Sequence, residues 1–419
     1  MQDAPVSKVT LPNGVRVLLD WMPQARSAAI GFWLDTGSCD EPAGLEGACH
    51  FLEHMLFKGT ARRSALQIAQ ALEVTGGSLN AFTDKEHTCF HARVPAEDVP
   101  EALDVLADML VASVLDPGEL RREKAVVIEE IKMYEDTPDD LAQELTYAKF
   151  WPTHALGRPV TGTAASVRQL SRRKLQDFMA QHYTANRLVV AISGQFERDR
   201  TLAQLAQALQ ALPAVGVPKL SPELVSQGGR TLRYRDVEQA QLVVAAPALA
   251  ITDPDRYTLA VLNAVVGGGM SSRLFQEVRE KRGLVYAIGS GESLFRAGGL
   301  FAINAGMSPK HLPTVLGLIR ETFDQLAQGE VGEAELQQAQ RQLKGSLKLA
   351  LEVPRHRMMR VAQDELYFGR ELGMDEMLAA IDAVTPAAVA AMAARLLGPE
   401  GLHTTVVGPL RRWPAGLAA

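Results

Sequence analysis

Five consecutive residues, His50-Phe51-Leu52-Glu53-His54, hold the side chains best suited to chemistry in this sequence. Two imidazoles four residues apart stand one above the other on the same side of an α-helix. From there both reach a single cation at about 2.0–2.1 Å. Glu53 precedes the second histidine by one residue, about 100° round the helix. Its side chain reaches a water on such a cation without itself being a ligand. The order is His-x-x-Glu-His, the reverse of His-Glu-x-x-His. The surroundings favour a built site over two histidines placed by chance. Phe51, Leu52, Met55, Leu56 and Phe57 make the segment apolar on most sides, so the helix is expected to be buried. Buried imidazoles and a carboxylate need partners, and a metal provides them.

Zinc that keeps one position open for water takes three protein ligands, so a third must come from another element. The run RREKAVVIEEIKMYEDTPDD (121–140) offers carboxylates on a second predicted helix. Glu123 and Glu130 are seven residues apart, two turns, and share a face with Val126 and Val127 between them. By charge pattern alone the run reads equally well as a solvated surface helix. A structural zinc site with all four places filled is a competing use of the motif. Such sites draw on Cys and His, and Cys49 points about 100° away from His50.

The elements that must position these groups recur once along the chain. In the first half, VRVLLD and AAIGFWL within 15–34 read as strands, 45–58 and 64–74 as helices, and GGSLNAFT (76–83) with HTCFHARV (87–94) as paired strands. Helices follow near 100–113 and 117–135, and RLVVAISG (187–194) is an apolar strand. The stretch 212–229, with three prolines and three glycines, is the expected linker. After it the order repeats. Strands are expected at 232–236 and 241–249, helices at 255–266 and 272–281, and paired strands at 284–293 and 300–306. Helices near 309–328 and 333–351 and a last strand at 402–408 complete the half. The expected fold is α+β: two similar, duplicated domains, 1–211 and 230–419, each a mostly antiparallel sheet flanked by helices.

With 419 residues the chain is too long for one core. Its net charge of −6 disfavours a sequence-independent nucleic-acid binder, which needs surplus Lys and Arg. Three cysteines, Cys39, Cys49 and Cys89, make no disulfide framework and point to a reducing compartment. No apolar run is long enough to span a membrane, and the N-terminus lacks a signal-peptide pattern, so a cytoplasmic protein is expected.

GACHFLEHMLFKGT (47–60) and EKAVVIEEIKMYEDTPDD (123–140) closely resemble the two signatures of the pitrilysin/insulinase-type zinc metallopeptidases, the inverzincins. The length resembles the short-chain branch that includes the mitochondrial processing peptidase β subunit and its bacterial relatives, and the likeness covers nearly the whole chain. The resemblance implies one zinc ion per chain, held by His50, His54 and Glu130, with Glu53 as general base. Glu130 lies 76 residues after the second histidine, the family spacing, with Glu129 as its immediate competitor. Glu123 matches a family residue that acts behind the ligands or assists catalysis. In GGSLNAFTDKEHTCFHARV (76–94) the resemblance assigns Asn80 and Ala81 to an edge strand that pairs with extended substrate. VGGGMSSRLFQEVREKRGLVYAIGS (266–290) resembles the family's inactive half, where Arg279 and Tyr286 take the places of substrate and transition-state contacts. Phe57 falls at the pocket for the residue after the scissile bond. Asp140 and Glu144 fall where acids of the mitochondrial enzyme recognise an arginine. The implied function is an endopeptidase for peptides and unfolded segments, working as a homodimer that closes a chamber, or as a heterodimer with an inactive homologue. The alternative is a non-catalytic core or partner subunit of a processing or respiratory-type complex. Such members lose a ligand or the base, whereas His50, Glu53, His54 and Glu130 are all present here.

Overall fold

The computed structural model describes residues 6–219, 222–396 and 401–414. The first half of the chain opens with β1 (Ser7–Thr10), β2 (Arg16–Trp21), β3 (Ser27–Leu34), α1 (Ala48–Leu56), α2 (Ala65–Glu73), β4 (Ser78–Thr83) and β5 (Thr88–Pro95). It continues with α3 (Val99–Ala112), α4 (Pro117–Asp136), α5 (Pro138–Phe150), α6 (Ala164–Gln169), α7 (Arg172–His182), β6 (Leu188–Gly194) and α8 (Arg198–Ala208). The second half opens with β7 (Gly229–Tyr234), β8 (Ala240–Ala248), α9 (Arg256–Val266), a π-helical turn (Phe275–Glu280), β9 (Val285–Leu294) and β10 (Gly299–Met307). It ends with α10 (Leu312–Ala327), α11 (Glu333–Ala350), α12 (Pro354–Phe368), α13 (Met374–Asp382), α14 (Pro386–Leu396) and β11 (His403–Gly408).

These elements build two sheets of one design. The first has the order β1-β2-β6-β3-β5-β4, the second β7-β11-β8-β10-β9. Without β1 the orders match place for place. In each, one neighbouring pair is parallel (β2 with β6, β7 with β11) and the other pairs are antiparallel. The fold is thus two similar sheet-and-helix domains, the duplicated α+β arrangement read from the sequence.

Central strands read as continuous apolar runs because both faces of the sheet are covered. On β3, Ile30, Phe32 and Leu34 pack into a core with Phe51 and Leu52 of α1 and Val105 and Leu106 of α3. Ala29 and Trp33 point the other way and pack with Val189 and Ala191 of β6 against Met358, Val361 and Ala362 of α12. Gly31 makes that approach possible, since a Cβ there would collide with Met358 Sδ and the Trp33 ring. The fully buried Asp20 anchors α12 through Arg357, with Nε to Oδ2 and Nη2 to Oδ1 both at 2.7 Å. In the second sheet the same place is taken by α5, whose Leu141 and Ala142 pack on Val243 and Val407.

Each sheet is therefore backed by a helix from the other half of the chain. One compact unit comprises Met1–Ile131, Arg158–Leu220 and Leu349–Glu371, the other Lys132–Gly157, Ser221–Lys348 and Leu372–Ala419. The units differ from a single cut at 212–229, of which residues 220 and 221 lie outside the described residues. Two of the extra crossings fall inside α4 and α11, which run unbroken through 131/132 and 348/349, so no Pro- or Gly-rich break marks them. Among the described residues no single helix is long and apolar enough to cross a membrane.

Candidate metal centre

Helix α1 is fixed at its start. Gly47 adopts φ 87°, and a Cβ there would come within 2.5 Å of the Thr161 carbonyl oxygen. The Glu41 carboxylate accepts from the Gly47 and Cys49 N–H groups at 2.8 and 2.7 Å, satisfying donors that a helix start leaves unpaired. Burial pushes the Glu41 carboxyl up to about 8, against the pull of those two hydrogen bonds. Cys49 Sγ donates to the Gly37 carbonyl at 3.2 Å and is engaged away from the histidines. Phe51, Leu52, Met55 and Leu56 are fully buried, which sets the rotation of the helix and leaves His50, Glu53 and His54 together on its more open side.

The imidazole centroids of His50 and His54 lie 4.7 Å apart. Helix α4 brings Glu130 to them. Its Oε1 is 3.5 Å from His50 Nε2 and its Oε2 is 3.5 Å from His54 Nε2. One ligand atom from each of the three lies within 4.8 Å of the others. Buried Val127 and Ile131, one turn apart, set the phase of α4, while Val126 is exposed. That phase turns Glu130 inward and leaves Glu129 on the exposed side. The contact with His50 holds the Glu130 carboxyl below its usual range, against the opposing effect of burial.

Two observations fit this group to a divalent cation. Ligands at about 2.0–2.2 Å in a tetrahedron are about 3.3–3.6 Å from one another, and the 3.5 Å spacings satisfy that. Behind His54, Glu123 Oε2 is buried with no hydrogen-bond partner among the described residues, 3.6 Å from His54 Nδ1. A cation on Nε2 puts the ring proton on Nδ1, facing that oxygen. Glu123 Oε1 pairs with Lys58 Nζ at 2.7 Å.

Glu53 is half-buried, and Thr83 Oγ1 on β4 donates to its Oε2 at 2.6 Å. Thr83, Lys58 and Glu41 were not singled out from the sequence. Strand parity holds a signal for Thr83 alone. Leu79 and Ala81 pack towards the core under α1, and the residue two further on shares their face. Phe57 caps α1, its ring 6.4 Å from Phe90. Asn80 is exposed on β4, the edge strand, and its Oδ1 accepts from the Ala81 N–H at 2.8 Å.

The remaining predicted residues belong to the second unit. Asp140 and Glu144 are half-buried on α5, one turn apart. Burial, then the neighbouring Asp139, raises the Asp140 carboxyl. Arg279 lies in the last part of the π-helical turn, its Cζ 4.9 Å from the Phe275 ring centroid and 5.9 Å from that of Tyr286. Tyr286 on β9 is 76% exposed.

Residues 16–164 match the family model for insulinase (peptidase family M16), and residues 169–343 match that for the peptidase M16 inactive domain. The chain belongs to the M16 peptidase family. An uncharacterized zinc protease of Streptomyces coelicolor is 41% identical over 97% of this chain and 90% of the relative. An uncharacterized zinc protease of Bacillus subtilis is 37% identical over 98% and 100%. Among solved structures, a chain described as a peptidase M16 inactive domain from Pseudomonas fluorescens superposes with a TM-score of 0.90 at 23% identity, covering 98% of this chain and 99% of that one. A Helicobacter pylori protease gives 0.89 at 19%, covering 97% and 100%. A chain of complex III2 from Candida albicans gives 0.82 at 22%, covering 97% and 96%. At these identities the solved structures show the fold alone. At the level of the family, the match and the named relatives support a protease-type hydrolase of the zinc-protease kind.

Proposed function

We propose that this chain is a zinc-dependent endopeptidase acting on peptides and unfolded polypeptide segments, with one zinc ion held by His50, His54 and Glu130. The observation that carries the reading is the convergence of these three groups, with Glu53 one residue from a ligand and tethered by Thr83. When bound, the cation lowers the pKa of a coordinated water and polarises the scissile carbonyl. Glu53 takes a proton from the attacking water and delivers it to the amine as the C–N bond breaks. Glu123 orients His54 from behind, and Lys58 compensates its charge.

The free edge of β4 suits an extended substrate, with Asn80 and Ala81 on its backbone. Phe57 serves the pocket after the scissile bond, and Asp140 and Glu144 favour a basic residue nearby. Tyr286 donates to the developing oxyanion, and Arg279 holds the substrate beside it. The resemblance implies a homodimeric chamber, and a mass near twice 45.4 kDa in solution is its test.

Hydrolysis of a quenched-fluorescent peptide of about 10–20 residues, measured before and after chelation and zinc add-back, tests the reading. Activity should vanish with chelator, return with zinc, and be absent in Glu53→Gln while that variant still binds the metal. Near-native hydrolysis by Glu53→Gln removes Glu53 from its role. No hydrolysis by metal-loaded protein favours the non-catalytic alternative.

A further inference from the structure

We infer that Thr83 is a positioning residue for the base: its hydroxyl fixes one carboxylate oxygen of Glu53 and leaves the other to take the proton. This rests on the peptidase reading and deepens it. The contact is short, Oγ1 to Oε2 at 2.6 Å, and joins two elements thirty residues apart. It depends on strand parity. Leu79, Ala81 and Thr83 share the face of β4 turned to α1, and a slip of one residue would point the hydroxyl away. A hydroxyl has one proton to donate, and a carboxylate accepts it, so the pair has a single polarity. Glu53 is half-buried on a long flexible stem. Without the tether its carboxylate samples rotamers in which neither oxygen meets the water.

The location adds a consequence. Thr83 ends the edge strand to which the proposed function assigns the substrate backbone. Occupation of that strand and orientation of the base then depend on one element, and a bound segment that orders β4 also orders Glu53.

The test uses Thr83→Val and Thr83→Ser in the full chain. Valine keeps the branched shape and strand preference and removes the donor, while serine keeps the donor. Kinetics on the quenched peptide are measured beside zinc affinity from chelator competition. In Thr83→Val, kcat should fall by about 10- to 100-fold, the share of general-base catalysis that depends on orientation. KM and zinc affinity should stay within about twofold, and Thr83→Ser should recover most of kcat. A Thr83→Val enzyme with kcat near wild type, or one whose loss lies in KM or in zinc affinity, overturns the inference. If Glu53→Gln is inactive while Thr83→Val is fully active, only this inference fails. If Glu53→Gln remains active, the peptidase mechanism fails and takes the inference with it.

Discussion

Replacing Glu123 with Gln exchanges one oxygen of a buried side chain for an NH2 group and should weaken zinc binding about 100-fold, the upper end of what a carboxylate behind a ligand histidine contributes. The two oxygens of Glu123 have different neighbours. Oε1 meets Lys58 Nζ at 2.7 Å, and Oε2 lies 3.6 Å from His54 Nδ1. A Gln side chain must give its oxygen to one and its NH2 to the other. Lys has three donors and no acceptor, so the oxygen stays with Lys58 and the NH2 turns to His54. Nδ1 can then only accept, and the ring proton moves to Nε2, the nitrogen that faces Glu130. That is the nitrogen a cation needs. Loss of the carboxylate alone accounts for about 10- to 100-fold, roughly 1.4–2.7 kcal/mol, and the wrong tautomer pushes the result to the top of that range.

The same argument makes a second variant informative. In Lys58→Met/Glu123→Gln nothing holds the amide oxygen, so it is free to turn to His54 and accept from Nδ1–H. Zinc affinity should therefore recover by about tenfold over Glu123→Gln alone, although a second residue has been removed. Competition against a chromophoric chelator at fixed pH gives both affinities, with circular dichroism to verify that the variants are folded. A Glu123→Gln protein that binds within about threefold of wild type, or a double variant as weak as the single, refutes the tautomer argument.

Arg357→Met should destabilise the first unit by about 3–5 kcal/mol in urea unfolding, because it leaves Asp20 fully buried without its counter-charge. Adding Asp20→Leu should recover most of that loss, and a pair of variants with equal midpoints would count against the anchor. His91 and His182 are held down to about 4, His91 first by burial and then by Arg355, His182 first by burial and then by Arg187, whose Nη1 lies 3.1 Å from its Nδ1. The unfolded chain takes these protons near 6.5 and the folded chain resists them, so stability should fall as pH drops from about 6.5 to 4. Each histidine adds at most about 1.4 kcal/mol per pH unit, and His182→Gln should flatten the urea-midpoint profile over that window. An unchanged profile would mean that His182 titrates normally in the folded protein.

What was legible in the sequence follows from the range of each interaction. The histidine pair was readable because a single helical turn holds it, and apolar residues on either side reported burial. The choice of Glu130 over Glu129 was not fixed by charge pattern. It needs the phase of α4, which Val127 and Ile131 set by packing on a core assembled from other elements. Glu41 left no spacing signal, since its partners are main-chain N–H groups that any residue carries. The helix expected at 272–281 is a π-helical turn over Phe275–Glu280, and apolar periodicity over so short a stretch does not separate the two. The exchange of α5 and α12 was hidden for a similar reason. Both are ordinary amphipathic helices, and which sheet they cover depends on the path of α4 and α11.

The duplication separates what makes the fold from what makes the chemistry. Helix α1 follows β3 and precedes the edge strand β4; α9 follows β8 and precedes the edge strand β9. Both are apolar and buried. Yet α1 reads ACHFLEHML and α9 reads RYTLAVLNAVV, with no histidine or carboxylate. Asn263 of α9 accepts from Ser290 Oγ at 2.6 Å and ties the helix to its own edge strand. In the first unit the corresponding tie between helix and edge strand is Thr83 to Glu53, a bond that ends on an acid able to carry a proton. One architecture thus uses a helix-to-edge hydrogen bond twice, once between neutral groups and once beside the His50, His54 and Glu130 group. The apolar pattern shared by the halves specifies the sheets; the metallopeptidase reading rests on the few polar side chains that they do not share.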